Sequence, residues 1–369
     1  MSEHGASTRA IHAGLPDPVQ GEPLLPGPVL AAPYHLRGAA DSAPYGYGRD
    51  ENPTWTHLER AIGALDGGEA VVFSSGMAAV SAVVLPRLRP GDAVVVPRDA
   101  YPGIRKLCAE DLAPRGVDVR YVNTRTEEIV AACAGASLVW VESPSNPLLD
   151  VADLDAVAAA ASAAGALFAV DNTLATPLGR RPLDHGADFA MVSGTKSLTG
   201  HGDVLLGAVS VREPALAAEL RAWRSRTGAI LGPFEAWIAH RSLATLGLRL
   251  ERSWANARAV ADALEARDDV TGVRWPGVGP VVAMVLSSLE HAERFLDACN
   301  LVSQATSFGG VHSTAERRAR WGTDDVPEGF VRFSAGCEDT ADLVADVVAA
   351  LDAVAGRRTA AGESGDNHA

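Results

Sequence analysis

The chain has 369 residues, 47% hydrophobic and 21% charged, the balance of a soluble globular protein long enough for two domains. Its 46 acidic against 32 basic residues leave a formal charge of −14. That balance argues against a nucleic-acid backbone or an anionic membrane as partner, because both reward basic surfaces, and leaves open a small ligand held at a local positive site.

Cys108, Cys133, Cys299 and Cys337 stand far apart with no C-x-x-C pair. This predicts neither a zinc ribbon, a redox motif nor a disulfide framework, so no metal is expected and a reducing, cytoplasmic location is. Met1 to Pro16 lacks the basic and apolar regions of a signal peptide. No apolar run reaches the ~20 residues of a membrane span.

Residues 1–60 begin rich in Pro and Gly and without periodicity, which predicts an extended arm. An irregular arm of roughly fifty residues usually has a function or lies on a partner. From Glu69 short apolar runs alternate with helical patterns. Strands are expected at Ala70–Phe73, Ala93–Val96, Val117–Val122, Ser137–Val141, Ala166–Val170, Asp188–Val192 and Leu205–Val211, with helices after Gly76 and over Leu154–Ala164. That rhythm predicts an α/β domain, residues 61–246, around a mostly parallel sheet whose ligands sit beyond the strands' carboxyl ends. Residues 247–356 read as a smaller α+β domain, with a long helix through Leu264, strands at Val281–Leu286, Val302–Thr306 and Phe330–Ser334, and helices at Leu289–Ala298 and Thr340–Val354. Residues 357–369 are polar and Gly-rich, which predicts a disordered tail.

Three strand ends carry candidate chemistry. Ser74-Ser75-Gly76-Met77 opens a helix, which makes either an anion site of backbone N–H groups or a plain tight turn. Asp171 ends an apolar strand, where an acid is costly unless paired; a helix cap or loop is the other reading. Ser193-Gly194-Thr195-Lys196-Ser197 sets a lysine among hydroxyls. The chain has only two lysines, Lys106 and Lys196. An amine can form an imine and a guanidinium cannot, so a lysine kept here among so many arginines is informative.

The ordered segments S-S-G-M-A-A, D-A-Y-P-G, E-S-P-S-N-P, V-D-N-T, S-G-T-K and S-F-G-G resemble the Cys/Met-metabolism family of pyridoxal-phosphate (PLP) enzymes. The likeness runs from Thr8-Arg9-Ala10 to the R-F-S-A-G-C-E-D segment at Arg332. The resemblance implies an aspartate-aminotransferase-like (fold type I) architecture and pyridoxal 5'-phosphate as cofactor. It implies that Lys196 binds the cofactor and shuttles protons, and that Asp171 pairs with the pyridinium nitrogen. Asn146 would bond the ring's phenolic oxygen and border the substrate. Backbone N–H groups of Gly76 and Met77, with the Ser193 and Thr195 hydroxyls, would hold the phosphate. Tyr101 would stack on the ring and act as acid or base. Tyr47 and Arg49, in Y-x-R, would reach the phosphate of a neighbouring subunit, making shared sites in at least a homodimer and, by resemblance, a 222 tetramer. Arg332 would clamp the amino-acid carboxylate, with Ser307 in the same pocket.

Departures are visible. The Tyr101–Arg105 segment is one residue shorter than the family's Y-G-G-x-x-R, leaving Arg105 and Lys106 as rivals for one basic position. Thr306 stands where animal and yeast γ-lyases carry Glu, and Pro102-Gly103 stand where methionine γ-lyases carry a cysteine. The resemblance implies an enzyme acting on an amino-acid substrate, expected to be a γ-lyase cleaving L-cystathionine to L-cysteine, 2-oxobutyrate and ammonia. Cystathionine γ-synthase, O-acylhomoserine sulfhydrylase and methionine γ-lyase remain alternatives. A catalytically silent binding module is the reading from another class, and retention of Lys196, Asp171, Tyr101 and Arg332 argues against it.

Overall fold

The computed structural model describes residues 4–356; the expected tail at 357–369 lies outside the described residues. The chain divides into two compact units at Leu250, inside the helix Leu246–Glu265, a few residues beyond the expected boundary.

The first unit is built on seven strands: β1 (Glu69–Phe73), β2 (Ala93–Pro97), β3 (Asp118–Val122), β4 (Leu138–Glu142), β5 (Leu167–Asp171), β6 (Phe189–Ser193) and β7 (Gly207–Val211). Their order in the sheet is β1-β7-β6-β5-β4-β2-β3. β2 to β6 pair in parallel, and β7 is antiparallel to both β6 and β1. β1 therefore points the same way as β2 to β6, and six carboxyl ends share one edge. Side chains alternate faces along a strand. Val94, Val96, Leu138 and Trp140 join one buried cluster with the helix Gly76–Val84. Val95, Val139 and Val141 join another with the helices Thr126–Ala132 and Leu154–Ala164. Burial on both faces explains why these strands read as continuous apolar runs.

The second unit holds a five-stranded sheet of order β10-β11-β12-β9-β8. Its strands are β8 (Thr271–Arg274), β9 (Val281–Val285), β10 (Ser303–Gln304), β11 (Thr314–Arg317) and β12 (Phe330–Ser334). Pairing is antiparallel except between β10 and β11. One core joins Val282, Met284, Val331 and Phe333 to Phe295, Leu343 and Val347 of the helices Leu289–Ala298 and Thr340–Ala355.

Several expectations need correction. The arm is not wholly irregular: Ala6–His12 is a short helix. Tertiary contacts hold it there, since ring nitrogens of His240 and His57 donate to the Ala13 and Gly14 carbonyls at 2.9 and 3.2 Å. A regular helix, Pro53–Asp66, begins before residue 60, capped by the Asn52 side chain accepting from Thr54 N–H. The strand expected at Val302–Thr306 shrinks to Ser303–Gln304, and the chain then turns into the left-handed region at Ser307, φ 81°. Helices Pro214–Thr227 and Pro233–Leu243, and strands β8 and β11, are additional. Among the described residues no helix is long and apolar enough to cross a membrane.

Candidate active site

The strand ends on one edge of the first sheet carry Ser74–Gly76, Asp99–Tyr101, Glu142–Asn146, Asp171–Thr173 and Ser193–Lys196. Contacts join them in series. Asp171 is 7% exposed. Its Oδ1 accepts from the Thr173 N–H at 3.0 Å and from the Thr173 hydroxyl. The Thr173 oxygen in turn accepts from the Ser193 N–H at 2.8 Å. Burial pushes the Asp171 carboxyl above its ordinary range; the Thr173 bonds and the Lys196 charge pull it back part of the way. Lys196 follows β6, its N–H donating to the Ser193 carbonyl at 3.2 Å.

Glu142 is the cross-strand partner of Asp171 and is also buried. Its Oε2 accepts from the Tyr101 N–H at 2.6 Å. Burial first, then the charges of Asp171 and Asp99, push this carboxyl well up; the Tyr101 bond and Arg105 act against the rise. Two acids side by side in one dry site cannot both ionise cheaply; of the two, Asp171 is the one on which the Lys196 charge acts. The sequence signal for Glu142, an acid ending the run Leu-Val-Trp-Val, equals that for Asp171, whereas the link through Thr173 has no signal in the sequence.

Tyr101 is 46% exposed. An ideal Cβ on Gly103 would lie 2.6 Å from both Met77 Sδ and Tyr101 Cε1, so Tyr101 stands beside the first turn of the helix Gly76–Val84. That turn is capped by Ser75, whose hydroxyl accepts from the Ala78 N–H at 3.1 Å. Helix geometry leaves the N–H groups of Gly76 and Met77 without intrahelical partners. An ideal Cβ on Gly76 would sit 2.9 Å from Ser193 Oγ, so the glycine lets the two N–H groups and the Ser193 hydroxyl converge. The Thr195 hydroxyl donates to the Leu206 carbonyl and accepts from the Leu206 N–H, tying down the Lys196 turn. Asn146 is buried in a loop closed on itself by Ser145 and Asp150.

Of the two rival cations, Arg105 donates to the Ala100 carbonyl at 2.8 Å and acts electrostatically on Glu142. Lys106 faces solvent, its side chain 71% exposed and 3.8 Å from Glu110. The structure thus sets Arg105, not Lys106, toward the strand ends. Arg49 donates to the Ser225 carbonyl at 2.8 Å within its own chain and lies over the Tyr47 ring; Tyr47 is half exposed.

In the second unit Arg332, on β12, is 4% exposed. Its Nη2 donates to the Ser307 carbonyl at 2.8 Å and to Glu316 Oε1 at 2.5 Å, and its guanidinium lies over the Phe308 ring. Arg332 and Ser307 are therefore brought together, through the serine's backbone oxygen. The buried acid between them, Glu316, carried no sequence signal, since T-A-E-R-R reads as an exposed charged run.

The first-unit donor set suits a phosphorylated pyridine aldehyde. Helix-start N–H groups and a hydroxyl suit a phosphate, a buried acid suits a protonated ring nitrogen, an aromatic flanks them, and an amine stands at a strand end.

The family described as Cys/Met metabolism PLP-dependent enzyme matches residues 7–352. The chain belongs to this family. A Streptomyces coelicolor protein named "Putative cystathionine gamma-lyase" is 54% identical over 95% of this chain and 94% of its own. Among solved structures, apo CalE6 of Micromonospora echinospora, described as a methionine gamma lyase, is 38% identical with TM-score 0.89, covering 95% of this chain and 100% of that one. Cystathionine gamma synthase of Xanthomonas oryzae, in complex with cystathionine, is 32% identical with TM-score 0.90 over 96% and 99%. As a family member the protein is a PLP-dependent enzyme of the aspartate-aminotransferase-like fold acting in sulfur amino-acid chemistry.

Proposed function

We propose that the protein is a cytoplasmic, homo-oligomeric cystathionine γ-lyase, converting L-cystathionine to L-cysteine, 2-oxobutyrate and ammonia. The observation that carries the chemistry is the connected set Lys196–Asp171–Thr173–Ser193 at the strand ends. The name of the Streptomyces coelicolor relative supports cystathionine as substrate.

The Gly76 and Met77 N–H groups and the Ser193 hydroxyl would hold the phosphate, with Thr195 fixing the turn that presents Lys196. Asp171 would keep a proton on the ring nitrogen. When bound, the cofactor supplies an electron sink for the electrons of a broken Cα–H bond. Tyr101 would flank the ring and serve as acid or base at the leaving group. Asn146 would bond the phenolic oxygen. Arg332 would hold the substrate carboxylate, and the Lys196 amine would meet the Cα proton. Lys196 takes that proton and returns protons during γ-elimination.

A substrate panel tests this: cystathionine, methionine, cysteine, homocysteine and O-succinylhomoserine, the last with and without cysteine. We expect 2-oxo acid formation to be fastest from cystathionine. Thioether from O-succinylhomoserine plus cysteine would instead mark a γ-synthase, sulfide incorporation into an O-acylhomoserine a sulfhydrylase, and preference for methionine a methionine γ-lyase.

A further inference from the structure

Glu316 sits on β11 opposite Arg332 of β12 in register and is 1% exposed. Its carboxylate is a hub. Oε1 accepts from Arg332 Nη2 at 2.5 Å, Arg318 Nη1 at 2.8 Å and the Thr306 hydroxyl at 3.3 Å; Oε2 accepts from Trp321 Nε1 at 2.9 Å. Burial raises this carboxyl, but Arg332, the Trp321 N–H and Arg318 outweigh it and hold the group below its usual range. Arg318 is fixed from behind by Asp324, 2.5 Å from Nη2. Thus two arginines and two acids form one dry network with matched charge.

We propose that Glu316 is a positioning residue for carboxylate recognition: it sets the orientation of the Arg332 guanidinium and, through Thr306, the turn at Ser307 whose carbonyl holds the same Nη2. This rests on the reading of Arg332 as the clamp for the substrate carboxylate. Three observations support it. A buried ion pair is a poor source of stability, because desolvation offsets its attraction, so an acid with four donors needs another reason. Arginine is a flexible side chain whose value as a clamp depends on a fixed plane, and the Glu316 and Ser307 oxygens fix Nη2 from two directions. Ser307 adopts φ 81°, disfavoured for a residue with a Cβ, and that conformation is anchored on both sides, by Thr306 to Glu316 and by Ser307 to Arg332. Thr306, at the position where the family's pattern varies, is thereby joined to the clamp.

The test compares two ligands of the cofactor-loaded protein: L-norvaline, which lacks a γ leaving group, and butylamine, the same molecule without its carboxylate. Binding is measured by calorimetry alongside thermal midpoints. Glu316→Gln removes the charge and places an amide where a carboxylate accepts. It should weaken L-norvaline about fivefold or more and leave butylamine unchanged, because a charge-assisted anchor is lost on the carboxylate side alone. Glu316→Ala should do more; where it fails to fold, the Gln variant carries the test. With cystathionine, KM should rise while kcat holds. Equal weakening of both ligands, or none, would overturn the proposal. Arg332→Ala separates the two ideas: if it weakens norvaline and butylamine equally, or neither, the clamp reading of Arg332 itself falls, whereas norvaline selectively weakened there but not in either Glu316 variant refutes only the positioning role.

Discussion

Lys196 and Asp66 show how differently two buried-edge groups are used. Replacing Lys196 by alanine removes the amine at the end of β6 and should abolish turnover. Borohydride reduction of the loaded wild-type protein should fix the cofactor on the peptide containing Lys196; labelling at Lys106 would refute the assignment. Asp66 ends the helix Pro53–Asp66, is 2% exposed and accepts from the Ser210 hydroxyl. Burial pushes its carboxyl from 3.8 up to about 7, with the Ser210 bond and Arg181 acting in the other direction. A raised native pKa means that the native state binds the proton more tightly than the unfolded chain. Its stabilising contribution is full below the unfolded value and is lost as pH rises through about 7. Asp66→Asn should therefore be more stable than wild type at pH ~8, by an amount on the order of a few kcal/mol. Urea midpoints across pH ~5–8 should flatten in the variant; a slope that persists would place its origin elsewhere.

At the scale of elements, β7 decides how the phosphate turn meets the lysine turn. Gly207 pairs with Phe73 of β1 on one side and Ser193 of β6 on the other. An ideal Cβ there would lie 2.1 Å from the Ser75 carbonyl oxygen and 2.9 Å from Ala79 Cβ. Neither atom can move by changing a rotamer. Gly207→Ala should displace the first turn of the helix Gly76–Val84 and weaken PLP binding by about tenfold or more, since small misplacements of aimed groups are costly. Equilibrium dialysis measures this, and unchanged affinity would show that the turn tolerates the shift. The strands of the parallel sheet were legible in the sequence because each is buried on both faces and reads as an unbroken apolar run. The helices Pro214–Thr227 and Pro233–Leu243 were not: the first shows exposed Arg, Glu and Ala between its few buried residues, and the second mixes buried Ala236, Ala239 and Leu243 with exposed Phe234, Glu235 and Arg241. β11 was hidden because its charges are buried by pairing, as in Glu316, which no local pattern announces. Asp171 and Lys196 were legible since a charged residue ending an apolar strand is visible in the chain. Glu142 ends an apolar strand in the same way, but its pairing with Asp171 comes from the cross-strand register, and the bond from Ser193 to Thr173 crosses between strand ends; no local pattern shows either.

At the scale of the whole molecule the arm stands out for its exposed apolar side chains. Leu24, Leu30 and Val19 are 80%, 76% and 62% exposed, more apolar surface than a strap on a lone chain needs to show. A second copy covering it fits the shared-site reading of Tyr47 and Arg49, in which the Arg49 bond to Ser225 is exchanged for a neighbour's phosphate. Arg49→Ala should weaken cofactor binding while leaving Lys196 reactive. Mixing inactive Arg49→Ala and Lys196→Ala proteins under subunit exchange should restore part of the activity, because one site per hybrid pair is intact. A hybrid that stays inactive after exchange is confirmed by mass, or a fully active monomer, would refute the model.

The exposed position of Lys106, set against a single other lysine, has a practical consequence. With the Lys196 amine occupied by the cofactor, an acylating dye meets one lysine side chain, on the helix Pro102–Leu107 that starts directly after Tyr101. The sequence thus already carries a single lysine side chain for conjugation, five residues from Tyr101. A lysine-specific protease, cutting after residues 106 and 196 alone, would map both the dye and the cofactor in one digest.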